Sequence, residues 1–158
     1  MTPKFRAWLL AEKKMVRVSA ITFFSIGKLE GKVMEILYLS ESHNRFIKIW
    51  AKDPERFVLM QSTGLKDING KEIYEGDVLK VSSGRMFDID EENPFIVVKW
   101  DEEAGGYTTK DFTGEFDVLN LGWQIADELI RVEVIGNIYE NPELVSEFEE
   151  EVKIKWKN

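Results

Sequence analysis

Cysteine is absent from this 158-residue chain. With it go disulfides, thiolate nucleophiles, iron–sulfur clusters and cysteine-type zinc sites. Histidine occurs once, at His43. A Ser-His-Asp triad would therefore have to run through that residue, and no metal site built on several histidines fits a single chain. No apolar run approaches the roughly 18 residues of a membrane-spanning helix. Trp8-Leu9-Leu10-Ala11 is too short for a signal-peptide core, and Glu12 follows it at once. Walker A, G-x-G-x-x-G and zinc spacings are missing, as are internal repeats, low-complexity tracts and linkers. These absences predict a cytoplasmic protein of one domain's size, with no cofactor and no membrane contact.

What is present is a globular composition with an uneven charge. Hydrophobic residues make up 44 % and charged residues 32 %, too apolar a mixture for a disordered chain. The net charge of −8 hides a division. Residues 1–60 hold 11 Lys and Arg against 6 Asp and Glu, which is +5; residues 61–158 hold the remaining 10 against 23, which is −13. Such asymmetry has a bland reading, in which each half solvates its own surface or packs on the other. It also has a sharper one, in which the basic part of one copy meets the acidic part of the next. Nucleic acid is the third reading and the least favoured, because the acidic part repels phosphates.

Strand patterns dominate the first 60 residues. Lys4–Leu9 sets Phe5, Ala7 and Leu9 against Arg6 and Trp8. Met15–Ser25 is rich in β-branched and aromatic residues, and Lys32–Leu39, Arg45–Trp50 and Phe57–Gln61 continue the theme. Gly27–Gly31 and Glu41–Asn44 read as turns between them. Further on, Asn69-Gly70 is a tight-turn signal with positive φ. Strands are expected at Val78–Ser82, Phe95–Trp100, Tyr107–Thr109 and Ile130–Tyr139, with a bend or bulge at Gly136. Residues 123–129 read as a helical turn or two. Asn141-Pro142-Glu143 reads as the start of a helix running to about Glu151, with Asn141 as its cap and Leu144, Val145, Phe148 and Val152 on one stripe. The resulting expectation is a single mainly β unit. It has a basic lobe over 1–60, a barrel-like lobe over 61–140 and an acidic helix and tail over 141–158.

Three stretches together resemble a known family. Lys4-Phe5-Arg6-Ala7-Trp8 opens the chain. The central motif runs Gln61-Ser62-Thr63-Gly64-Leu65-Lys66-Asp67-Ile68-Asn69-Gly70-Lys71-Glu72-Ile73-Tyr74-Glu75-Gly76-Asp77. Near the end stands Val134-Ile135-Gly136-Asn137-Ile138-Tyr139-Glu140-Asn141-Pro142-Glu143-Leu144. In this order and spacing they resemble the YopX family of phage and prophage proteins, over about residues 4–145. Ser62 departs from the aromatic expected in its slot. The resemblance implies an SH3-like β pseudo-barrel capped by a helix, and a phage setting; it implies no molecular activity.

The motif's acids Asp67, Glu72, Glu75 and Asp77 invite a divalent-metal, hydrolytic reading. Calcium-loop spacing fails: counting from Asp67, position six is Glu72 where glycine is needed and position twelve is Val78 where an acid is needed; counting from Asp88, they are Asn93 and Lys99. The turn chemistry supports a structural role instead. Asn69-Gly70 sets a turn, Gly64 and Gly76 allow positive φ, and Asp67 and Asp77 accept backbone N–H groups. His43 reads as a solvated loop histidine. Trp8, Trp50, Trp100, Trp123 and Trp156 offer stacking platforms for bases but read mostly as core. The function expected is a non-enzymatic binding or assembly module, self-associating or bound to a host or phage protein. The alternatives are a carboxylate-metal hydrolase and a nucleic-acid-binding small barrel.

The metal reading has a direct check. A bound ion stabilises the native state by about 2.7 kcal/mol when it stands at 100 times its Kd. Thermal scans in millimolar Mg²⁺, Mn²⁺ or Ca²⁺ are expected to show no saturable rise in Tm. A rise abolished by Asp77→Asn would restore the hydrolase.

Overall fold

A computed structural model describes residues 3–24, 32–50, 56–84, 95–103, 105–111, 117–118 and 121–145. Apolar alternation becomes antiparallel strand throughout, in two compact units, Met1–Ser62 and Thr63–Asn158.

The first unit holds β1 (Phe5–Leu9), β2 (Lys14–Phe24), β3 (Lys32–Ser40), β4 (Arg45–Trp50) and the start of β5 (Phe57–Lys66). They lie side by side in the order β4-β3-β2-β1-β5. Ala7 stands opposite Val16 on β2 and Leu59 on β5, and Ile36 opposite Ile49 on β4. This register sends Ala7, Leu9, Val16, Ile36, Tyr38, Ile49 and Phe57 into one buried cluster. Each large apolar side chain there contributes about 1.5–3 kcal/mol relative to exposure. Successive side chains alternate faces, so Glu35, Leu37, Leu39, Phe46, Lys48 and Trp50 share the opposite face. The turn at Glu41–Asn44 closes through the His43 and Asn44 N–H groups, with Asn44 at φ +45°.

The second unit takes the rest of β5, which pairs with β6 (Glu72–Tyr74). It adds β7 (Asp77–Gly84), β8 (Phe95–Asp101), β9 (Gly106–Asp111), β10 (Asp117–Val118), helix α1 (Leu121–Ala126) and β11 (Ile130–Asn137). The sheet order is β10-β9-β8-β7-β11. One buried cluster joins Leu79, Ile96, Val98, Ile130, Val132 and Val134 to Ile73 and Leu121; a second joins Val78 and Val97 to Val145. A helix as short as α1 is unstable alone. It is held by Leu121, buried in the larger cluster, and Ile125, packed against it.

Two expectations are corrected, while the tight turn at Asn69-Gly70 is present, with Gly70 alone at positive φ (+79°). The Asp67 N–H donates to Lys71 O and the Gly70 N–H to Asp67 O, both at 2.9 Å, so the loop has three residues, Ile68–Gly70. The expected helix from Asn141 is met by a 3-10 turn, Pro142–Leu144, and Asn141 makes no side-chain capping bond to it; residues 146–151 lie outside the described residues, as does the Gly27–Gly31 turn. Trp50, Trp100 and Trp123 are exposed and not core. Trp50 lies on the face of β4 opposite Ile49, and Trp100 stands edge-on to Tyr107 near the end of β8. The bend at Gly136 is present as a register shift between Val134 and Gly136.

Two glycines of the second unit resist a side chain for different reasons. A Cβ at Gly136 would come 2.5 Å from Asn141 Oδ1 and 2.8 Å from Leu144 Cδ1, so Gly136→Ala is expected to lose about 1–3 kcal/mol by overpacking. Gly70 has open space around it, so Gly70→Val is expected to lose about 1 kcal/mol or more from backbone conformation alone. Urea midpoints measure both, and an unchanged midpoint in either variant would refute its account.

Candidate functional site

The long motif converges on a carboxylate. Asp67 is only 7 % exposed, at the end of β5. Its Oδ1 accepts the N–H groups of Asn69 (2.9 Å) and Lys71 (2.8 Å), and its Oδ2 accepts the N–H of Val134 on β11 (3.0 Å). Beside it the Ile68 N–H donates to Val132 O, and Asn69 Nδ2 donates to Glu133 Oε1. One side chain thus closes a turn and ties it to a strand far along the chain. Burial alone would raise the Asp67 pKa. The donors from Val134, Lys71 and Asn69, together with the Lys71 charge, outweigh burial and hold it below the ordinary 3.8.

The remaining motif residues repeat this use. Thr63 Oγ1 donates to Ile73 O and accepts the Leu65 N–H, beside Gly64 at φ +79°. Leu65 and Ile73 belong to the larger apolar cluster. Asp77, 1 % exposed, accepts the Tyr74 N–H at 2.8 Å across Tyr74-Glu75-Gly76-Asp77, where Gly76 takes φ +77°. The Gly76 backbone joins this turn to the middle of β8 and to the residue that follows β11: its N–H donates to Val98 O and its carbonyl accepts from the Ile138 N–H. The Tyr74 hydroxyl donates to Glu72 Oε2. Asn137 Oδ1 accepts the N–H groups of Tyr139 and Glu140, and Asn141 Oδ1 accepts the Asn137 N–H beside Gly136 and Pro142. Gln61 stands opposite Phe5, exposed on β5. Burial, then the Glu75 charge, raises the Tyr107 pKa above its ordinary 10.0.

Thus Asp67 is brought to Val134, and Gly76 to Val98 and Ile138, but the four acids are not gathered on one centre. Among the described residues, no group of three or more His, Cys, Asp or Glu is placed to hold a metal ion. His43 Nδ1 lies 3.0 Å from Ser40 Oγ and 2.9 Å from Ser42 Oγ, a local cluster within its own turn. Among the described residues, no helix is long and apolar enough to cross a membrane.

Sequence reasoning missed one surface. Phe23, Leu39, Phe46 and Trp50 are exposed on the face of β2–β4 turned away from the first unit's core. The pattern Phe46/Lys48/Trp50 against Ile47/Ile49 was visible, but with large apolar residues on both sides periodicity cannot say which side is buried.

Comparison with known proteins places these features in a group. The family model described as "YopX protein" matches residues 4–146. The chain is 31 % identical over 78 residues to the SPbeta prophage-derived uncharacterized protein YopX of Bacillus subtilis, a match over 49 % of this chain and 53 % of that protein. The chain therefore spans about half the length of the curated relative it matches. The crystal structure of protein EF1440 from Enterococcus faecalis is similar at TM-score 0.62 and 28 % identity, covering 92 % of this chain and 99 % of that one. The crystal structure of Bacillus subtilis yopX is similar in fold at TM-score 0.55 and 22 % identity, covering 89 % and 96 %.

Asp67→Asn is the test of the central node. The amide turns one oxygen acceptor into a donor facing a backbone N–H, and a hydrogen bond to a charged group contributes about 1.5–3 kcal/mol. A loss of about 2 kcal/mol or more is expected at pH 7. The folded pKa is depressed, so this stabilisation is complete above the ordinary 3.8 and lost as pH falls through the lower folded value. The wild-type advantage over Asp67→Asn should accordingly shrink in Tm scans below about pH 4. An advantage that stays constant with pH would show that the charge is not what stabilises.

Proposed function

The chain belongs to the YopX family, and we propose that it is a non-enzymatic binding or assembly module of phage biology, acting in the host cytoplasm by self-association or by binding a host protein. The observation that carries this reading is how the motif is used. Asp67 and Asp77 spend carboxylate oxygens on backbone N–H groups, and Asn137 spends its amide oxygen likewise. A catalytic or metal-binding carboxylate needs those oxygens for substrate or ion. These three motif side chains are used to hold the fold, and the exposed apolar residues are what the chain offers to a partner. Charge argues against nucleic acid, since the −13 over residues 61–158 repels phosphates.

The finer architecture belongs to the same proposal. β11 shifts register twice against β7. Bulges of this kind bend and twist a strand, which supports reading the five-stranded sheet as a curled, SH3-like pseudo-barrel.

Sedimentation over a tenfold protein range, at low and high salt, tests self-association. Concentration-dependent assembly is expected. Exposed charges are screened over about 8 Å at physiological ionic strength, so salt should weaken the contact only in part. A single monomeric species under every condition would end the self-association reading and leave the host-protein one.

A further inference from the structure

The first unit presents an apolar face that its own core does not use. Phe46 is 61 % exposed, Phe23 58 %, Trp50 48 % and Leu39 47 %. Register puts them together: Leu39 stands opposite Phe46, Glu35 opposite Trp50, and the shift after Thr22 returns Phe23 to the same face. Half-buried Leu37 and exposed Ala20 and Thr22 continue it. With aromatic side chains at 150–250 Å² each, the four largest groups offer roughly 400–500 Å² of apolar surface. Patches of a few hundred Å² often mark interaction sites.

The charges within and around this face differ in kind. At its centre the Glu35 carboxylate is nearly buried and pairs with Lys48 Nζ at 2.9 Å. The same ammonium lies 5.9 Å from the Trp50 ring centroid. The strip is therefore electrically neutral and suited to desolvation. The adjoining part of the same face is basic: Arg17 stands opposite Arg6 on the outward side of β2. Since about 800 Å² per partner is usual in a stable interface, roughly half the contact must come from such a rim. A basic rim selects an acidic partner.

This chain carries one. Residues 61–158 hold −13 against +5 over residues 1–60. We propose that the outward face of β2–β4 receives the acidic second unit of another copy of this chain. The proposal rests on the self-association reading above and names its surface. Placing two such faces together would oppose like charge; placing face against acidic unit joins opposite charge. A contact of this head-to-tail kind closes into a ring or continues as a filament.

Phe46→Lys tests the face, with Leu39→Thr as a second variant and Tm as the control for folding. Self-association is expected to weaken at least about tenfold in sedimentation while Tm stays near that of the wild type. Tagged Phe46→Lys should still capture untagged wild type, because its acidic unit is intact. If both variants assemble like wild type, the face is wrong and self-association stands. If the tagged variant captures none of a wild type that does self-associate, the face pairs with itself and the proposed occupant is overturned. A wild type that never assembles overturns the proposal together with the reading beneath it.

Discussion

A buried carboxylate must find hydrogen-bond donors or lose its charge, and the second unit is arranged around that demand. Asp67 draws N–H groups from two sources: its own turn, through Asn69 and Lys71, and β11, through Val134. The turn's shape follows, since Oδ1 can serve Asn69 and Lys71 together only if the chain folds back within three residues. Gly70 makes that reversal possible at φ +79°. The register of β11 beside the turn follows as well, reinforced by Ile68 donating to Val132 O. A single charged side chain thereby coordinates local and distant geometry that apolar burial, being non-directional, would leave loosely specified.

The same economy explains the motif's composition. Glycines stand where backbone must turn sharply or approach closely, as at Gly76 and Gly136. Close to the motif's glycines in sequence stand short polar side chains that replace missing backbone partners: Thr63, Asp67, Asp77 and Asn137. A stretch so specific can look like an active site while acting as a set of fold instructions. The exposed apolar residues Phe23, Leu39, Phe46 and Trp50 lie elsewhere, on strands outside the long motif.

Legibility in the sequence tracked how local each cause is. Strands with clear alternation, such as Phe5–Leu9 and Arg45–Trp50, could be placed to within a residue, because the period belongs to the strand itself. Gly64, Gly70 and Gly76 were readable as positive-φ sites, and Asp67 and Asp77 as turn acceptors, because glycine and aspartate carry those preferences alone. The Val134 donor was invisible: nothing in the spacing says which distant N–H will reach Oδ2. Trp50 and Trp100 were misjudged for a related reason. β4 buries one face, and which face depends on the register of its neighbour; Trp100 shares the side of buried Ile96 and Val98 but stands near the end of β8.

β11 also imposes an order in time. It pairs with β7, delivers the Val134 N–H to Asp67 and is followed at once by Ile138, which reaches Gly76. Every strand of the first unit has been synthesised by Trp50 or, for β5, by Lys66. The Oδ2 of Asp67 must do without its backbone donor until Val134 arrives, 67 residues later. At synthesis rates of about 5–20 residues per second, that interval is roughly 3–13 s. From the completion of β7 at Gly84 until β11 is made, the half-made second unit leaves the β7 edge that β11 will cover open to its surroundings.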